Sequence, residues 1–132
     1  MDSATQAAPI SKGALWTGRI LSAIPVFLLL TSAIAKLMKP PNVLEGFAKF
    51  GYSEGIIVKL AIIELACTAI YLIPRTSVFG AILLTAYLGG ATATHARVGD
   101  PAFVGPILTG VLLWLGLYLR EERLRALVPL RS

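Results

Sequence analysis

Four long apolar stretches limit the folds open to this chain. They cover residues 14–38, 54–73, 76–94 and 101–119. The last two contain no charged side chain over 19 residues each. At about 1.5 Å per residue, a helix of that length crosses a hydrocarbon layer of about 30 Å. The stretches lack the alternation of barrel strands, and only helices or closed barrels satisfy their own backbone in lipid. The sequence therefore predicts an all-α integral membrane bundle of four transmembrane helices.

The composition excludes the main alternatives to a membrane protein. Hydrophobic residues make up 56% of the 132 residues and charged residues 14%, whereas soluble domains are about 25% charged. So few charges cannot cover the surface of a small soluble domain. We therefore assign the net charge of +5 to membrane topology and contact with anionic lipid, and not to nucleic-acid binding. A single cysteine, Cys67, excludes an intramolecular disulfide and a cysteine-built metal site.

The beginning of the chain has two interpretations. Residues 1–13 are small and polar, which predicts a disordered tail before a single transmembrane domain of residues 14–132. A signal peptide is the alternative, because basic residues precede an apolar run that ends in Ala33-Ile34-Ala35. The polar leader is long for a signal peptide, and helical spacing continues to Lys36. These features favour a first transmembrane helix.

A short surface helix is predicted between the first two spans. Asn42 can cap this helix at its beginning, and Gly51 can end it. One face would carry the apolar residues Val43, Phe47 and Phe50. Such a pattern is typical of an amphipathic helix at the membrane interface.

Four spans place both termini on one side of the membrane. The basic residues on that side are Lys12, Arg19, Arg75, Arg120, Arg123, Arg125 and Arg131. Those on the other side are Lys36, Lys39, Lys49, Lys59 and Arg97. The excess of basic residues on the side of the termini, seven against five, favours cytoplasmic termini. The sequence therefore predicts a multi-pass protein of the inner (cytoplasmic) membrane.

Glu64 is the most informative single residue. It lies in the middle of the second span, about 10 residues from either end. Inserting an ionisable group at that depth costs about 2.5–3.5 kcal/mol, so Glu64 should face the bundle interior. Thr68 and Tyr71 lie on the same helical face and extend it as a polar stripe. Glu64 is then either a functional group or a hydrogen-bonding clamp between helices.

Lys36 is the natural partner of Glu64. It shares a face of the first helix with Ser32, and its long side chain can reach mid-depth. Lys36 can instead extend to the interface beside Lys39. The residues leave both arrangements open.

His95 is the only histidine, and it ends the third span near Tyr87 and Thr94. It either exchanges protons with a bound ligand or lies at the interface beside Arg97. His95 and Glu64 alone would not fill the coordination shell of a metal. We find no metal, haem or nucleotide motif in the sequence.

Two further patterns predict packing. Ala86, Gly90 and Thr94 form a stripe of small residues typical of closely packed helices. Four aromatic residues cluster toward the end of the bundle that carries the termini and predict an interfacial belt there: Trp16, Tyr71, Trp114 and Tyr118.

Much of the chain resembles the DoxX-like family of small four-helix membrane proteins. The segments that carry the resemblance are PVFLLLTSAIAKLMKP, GFAKFGY, IIELACTAIYLIPRTSVFGAILLTAYLGGATATHARVGD and VLLWLGLYLREERLRALVPLR, over roughly residues 18–131. The resemblance implies links to quinone-coupled sulfur oxidation, as a small subunit of a thiosulfate:quinone oxidoreductase. Other relatives are linked to quinone or catechol detoxification, to redox-stress complexes, or to receptor assembly. No catalytic motif transfers residue by residue.

The working hypothesis is a small inner-membrane subunit that binds a quinone-like or other lipophilic molecule and supports a redox partner. If the protein is a subunit of a quinone-linked oxidoreductase, Glu64 would accept and release protons. Lys36 would adjust the proton affinity of Glu64 or contact a ligand carbonyl. The expected ligand-binding residues are Ser32, Tyr87, Thr94 and His95. Candidate partners are the lipid bilayer, a redox protein and a second copy of the chain.

A non-catalytic scaffold or assembly factor is the competing hypothesis, and a transporter is the third. The lack of an inverted repeat argues against the transporter. A cavity beside Glu64 would separate the first two, because a ligand site needs space and a packing clamp does not.

Overall fold

The structure is a computed structural model that describes residues 9–130. These residues form six helices, α1 to α6, in the order Lys12–Met38, Pro41–Lys49, Glu54–Leu72, Ser77–Arg97, Val104–Arg120 and Glu122–Leu127. Within the described part, α1, α3, α4 and α5 are the helices long and apolar enough to cross a membrane, the last two together with a 3-10 turn before each. The predicted bundle of four transmembrane helices with a short helix after the first is therefore confirmed.

The helix boundaries differ from the sequence prediction by a few residues. α1 begins at Lys12, because the Ser11 hydroxyl accepts a hydrogen bond from the Ala14 backbone N–H at 3.1 Å. The predicted disordered tail extended to residue 13, and its first eight residues lie outside the described part of the chain. α2 begins at Pro41 with Pro40 before it, so Asn42 lies inside the helix and is not its cap.

The four spanning helices form a ring of neighbours. α1 and α4 each pack against both α3 and α5, so α1 and α4 lie across the bundle from one another. One end of the bundle, which we call the terminal end, carries the beginning of α1 and the end of α5. The opposite end, the mouth end, carries the end of α4 and the beginning of α3. The two ends are packed differently.

The terminal end is closely packed around Tyr71, whose side chain is 1% exposed. The Tyr71 hydroxyl donates to the Leu113 backbone carbonyl at 2.9 Å and shares a hydrogen bond with the Ser22 hydroxyl at 2.9 Å. A Cβ on Gly18 would stand 2.7 Å from the Gly116 carbonyl oxygen, which shows how near α1 comes to α5. The prediction that Tyr71 belongs to an interfacial belt is wrong, because its hydroxyl finds partners only inside the bundle.

α2 lies at the mouth end and is held there mainly through the segment that follows it. The Arg97 guanidinium at the end of α4 donates to the Phe50 backbone carbonyl. The Tyr52 hydroxyl shares a hydrogen bond with the Thr94 hydroxyl at 2.9 Å. Gly51 makes the turn between Phe50 and Tyr52. Its φ is +84°, a backbone conformation that glycine adopts without strain. α2 itself has no fully buried residue.

Candidate functional site

A buried ion pair joins α1 to α3. The Lys36 Nζ lies 3.1 Å from Glu64 Oε1 and donates to the Ser32 hydroxyl at 2.6 Å. Glu64 is 2% exposed and Lys36 9% exposed. Lys36 therefore does not extend to the interface beside Lys39, and the alternative in which it pairs with Glu64 is the one that the structure adopts.

Three helices supply the groups around this pair. Side chains on a helix tilt toward its N-terminus, so Lys36 near the end of α1 points back along the helix to Ser32. Tyr87 of α4 places its ring 6.0 Å from Lys36 Nζ. The polar groups of the three helices thus converge on one point, which we call the polar base.

A cavity of about 1010 Å³ lies beside the polar base. All six residues predicted for the catalytic and ligand-binding roles line it: Ser32, Lys36, Glu64, Tyr87, Thr94 and His95. Most of the remaining wall is apolar and comes from α1, α3, α4 and α5, including Leu28, Leu29, Leu60, Leu88, Leu108 and Leu112. The space that a ligand site beside Glu64 requires is therefore present.

The small residues of α4 make room for this cavity. Ala86, Gly90 and Thr94 line it, and a Cβ built on Gly90 would meet no atom within 4 Å. The prediction that these residues pack closely against another helix is wrong. Small side chains allow either a close helix contact or an open space, and here α1 stands too far across the bundle to close on α4.

The mouth of the cavity is formed by the end of α4 and the segment after α2. The His95 Nδ1 lies 3.0 Å from Asp100 Oδ2, and the Phe50 ring meets the His95 ring edge-on with centroids 4.7 Å apart. Phe47 and Tyr52 complete the rim with aromatic contacts to one another at 5.9 Å. Along α4, His95 lies eight residues beyond Tyr87, or about 12 Å toward the mouth.

Asp100 is the site residue that sequence reasoning missed. It caps the 3-10 turn before α5, because its Oδ1 accepts a hydrogen bond from the Ala102 backbone N–H at 2.9 Å. Its second oxygen binds His95. The turn that brings them together depends on Gly99, whose φ is +73°. The sequence signal was present in the short His95-to-Asp100 spacing across a glycine.

The pKa of the Asp100 carboxyl is held below its ordinary value. The largest cause is the hydrogen bond from the Ala102 backbone N–H, and the second is the His95 side chain. A lowered pKa in the folded state means that these contacts stabilise the fold above the unfolded pKa. The stabilisation is lost as the pH falls through the folded pKa. We expect His95→Ala to raise the Asp100 pKa only part of the way to the ordinary value, because the Ala102 hydrogen bond persists. Carbon-13 NMR titration of the Asp100 carboxyl measures this, and a complete return would show that His95 is the main cause.

Within residues 9–130, no three histidine, cysteine, aspartate or glutamate side chains lie close enough together to hold a metal ion. The site offers instead an ammonium, a carboxylate and several hydroxyls around an apolar space. Such an arrangement can hydrogen-bond a polar group of a lipophilic molecule and exchange protons with it.

Residues 20–117 match the model of the DoxX-like family, and the match contains the whole of the polar base and the mouth. The chain belongs to the DoxX-like family. No curated protein and no solved structure matches it. Membership of the DoxX-like family agrees with the four spanning helices.

Proposed function

We propose that this DoxX-like membrane protein binds a quinone-like lipophilic molecule in the cavity and works as a small subunit that supports a redox partner. The observation that carries the proposal is the position of the Lys36–Glu64 pair at the base of a large, mainly apolar cavity. A neutral ring with carbonyl groups and a hydrocarbon tail satisfies both parts of such a cavity. The apolar wall takes up the ring and tail, and the polar base meets the carbonyl.

Lys36 is suited to contact a ligand carbonyl. Its ammonium group has three N–H donors, of which Ser32 and Glu64 take two. The third can donate to a carbonyl in the cavity. The ion pair holds the ammonium in place, so little side-chain entropy is lost when the ligand binds.

Glu64 is suited to exchange protons. Conversion between a quinone and a quinol moves protons together with electrons, and a carboxylate at the polar base can accept or supply a proton there. The electrons would pass to or from the redox partner. Tyr87 lines the cavity at the polar base, and Thr94 and His95 line it at the mouth.

A scaffold or assembly factor is the second candidate. It is favoured by the fact that the ion pair joins α1 to α3 and that Tyr71 joins α3 to α1 and α5, as a packing role requires. The cavity favours the ligand-binding proposal over the scaffold, because two packing contacts of this kind need no open space beside them.

Glu64→Gln tests the proposal, with Glu54→Gln on the exposed first turn of α3 as the matched control. Glutamine keeps a hydrogen-bond acceptor for Lys36, but its amide does not exchange protons in the pH range in which a carboxyl group does. We expect Glu64→Gln to fold, because the glutamine oxygen and the Ser32 hydroxyl still accept hydrogen bonds from the Lys36 ammonium, whereas Lys36→Met leaves Glu64 with no donor in place of the ammonium. The variant should bind a short-chain benzoquinone and fail to complement a strain that lacks the gene. Full complementation by Glu64→Gln would leave the scaffold as the better description. Loss of folding would show that the charge itself holds the bundle together.

We further propose that the protein lies in the inner membrane with both termini in the cytoplasm, on the basis of the basic residues at the terminal end. Reporter fusions placed at Asn42 and after Ser132 should report opposite sides of the membrane, with the second in the cytoplasm. Asn42 lies at the mouth end, and α5 ends at the terminal end. Two fusions on the same side would contradict the arrangement.

A further inference from the structure

A second cavity, of about 780 Å³, lies between α4 and α5. We call it the α4–α5 groove; Gly89, Gly110, Trp114, Tyr118 and Leu124 are among the residues that line it. Leu88 and Pro106 line both this groove and the site cavity and so separate the two. The groove runs from Pro106 near the mouth end to Tyr118 near the terminal end. That is twelve residues of α5, or about 18 Å.

Three polar side chains between α4 and α5, those of Thr85, Thr92 and Trp114, already have hydrogen-bond partners. The Trp114 indole N–H donates to the Thr85 hydroxyl at 2.6 Å, and the Thr92 hydroxyl donates to the Leu88 backbone carbonyl at 2.8 Å. The rest of the wall between the helices is aliphatic or glycine. This part of the groove therefore suits a hydrocarbon, because a polar molecule there would leave its own groups without partners.

The terminal end of the groove carries a fixed cation. The Arg125 guanidinium donates to the backbone carbonyls of Tyr118 at 3.0 Å and Leu119 at 2.9 Å, and it lies 5.8 Å from the centre of the Tyr118 ring. These carbonyls belong to the last turn of α5, where the helix offers no backbone N–H to pair with them. Arginine has five N–H groups, so three of them stay available for an anion beside the groove.

We propose that the α4–α5 groove binds an anionic phospholipid, with one acyl chain in the groove and the phosphate at Arg125. A chain of one leaflet covers half of the hydrocarbon thickness, about 15 Å, which the groove of about 18 Å can contain. Hydrocarbon between the helices and a cation at the end of the helices match the two parts of such a lipid. This site is separate from the quinone site and does not depend on the function proposed for it.

Two adjacent glycines provide a matched test of this site. Gly89 lines the α4–α5 groove and Gly90 lines the site cavity, and a Cβ on either would meet no atom within 4 Å. Gly89→Leu should therefore fill the groove, and Gly90→Leu should leave it open. Arg125→Gln removes the fixed cation, while Arg123→Gln removes an exposed cation from the same short helix.

The protein is reconstituted in vesicles of equal parts phosphatidylglycerol and phosphatidylcholine, and the lipids that it retains are counted by native mass spectrometry. We expect the wild type and Gly90→Leu to retain phosphatidylglycerol, and Gly89→Leu to lose it. Arg125→Gln should weaken the preference for phosphatidylglycerol about fivefold, and Arg123→Gln should weaken it less.

Three results would overturn the proposal. Equal retention of the two lipids by the wild type would remove the role of Arg125. Equal losses in Arg125→Gln and Arg123→Gln would show only general attraction to an anionic surface. A wild-type dimer that Gly89→Leu converts to a monomer would make a second copy of the chain the occupant. If Gly89→Leu does not fold, Gly89→Ala serves as a smaller variant and should show a partial loss of the lipid.

Discussion

Gly90→Leu is expected to abolish quinone binding and to leave the bundle folded. Gly90 lies on the face of α4 that lines the site cavity, between Tyr87 at the polar base and Thr94 near the mouth. A leucine there would occupy part of the space through which the ring must pass to reach Lys36. The helix itself should tolerate the change, because a Cβ at this position meets no atom within 4 Å and leucine is a better helix former than glycine.

The measurement is the shift in thermal unfolding of the detergent-solubilised protein on addition of a short-chain benzoquinone. A ligand at 100 times its Kd stabilises the wild type by about 2.7 kcal/mol, and this gain should vanish in Gly90→Leu. Gly89→Leu is the control, because the same side chain is added one residue away on the face that lines the α4–α5 groove. An undiminished shift in Gly90→Leu would place the quinone elsewhere, while an equal loss in Gly89→Leu would point to a general effect on α4.

The spans and the inward direction of Glu64 could be predicted because both follow from the cost of polar groups in lipid. Length and hydropathy identify helices that cross the membrane without any knowledge of their neighbours. A carboxyl group at mid-depth has to face the interior wherever the other helices stand. The boundaries were less accurate, since the start of α1 depends on the Ser11 cap and the end of α4 on the turn at Gly99.

The features that sequence reasoning left open or misjudged depend on which helices are neighbours. Lys36 can reach Glu64 because α1 packs against α3, and one sequence does not reveal that pairing. Gly90 faces a cavity because α1 and α4 lie across the bundle, although the same stripe would pack closely between adjacent helices. The sequence assigned Tyr71 both to the inward face of Glu64 and to an interfacial belt, and its contact with Ser22 in the bundle decides for the first. Each outcome is a property of the assembled bundle.

The Lys36–Glu64 pair is both a contact between two helices and part of the polar base of the cavity. Lys36→Met is expected to be the most destabilising change of those considered, by about 3–5 kcal/mol. It removes the cation and leaves the buried Glu64 carboxylate without its charged partner. Lys59→Met is the control, since Lys59 is exposed on α3 and should be lost with little effect.

The double variant Lys36→Met with Glu64→Gln shows where the loss comes from. Replacing both charges removes the unpaired carboxylate, so the double variant should recover most of the stability that Lys36→Met loses. Thermal and denaturant unfolding in detergent measure all three proteins beside the wild type. A double variant no more stable than Lys36→Met would assign the loss to the packing of the lysine stem against the cavity wall. Recovery would show that the unpaired Glu64 carboxylate, and not the missing lysine stem, causes the loss of stability in Lys36→Met.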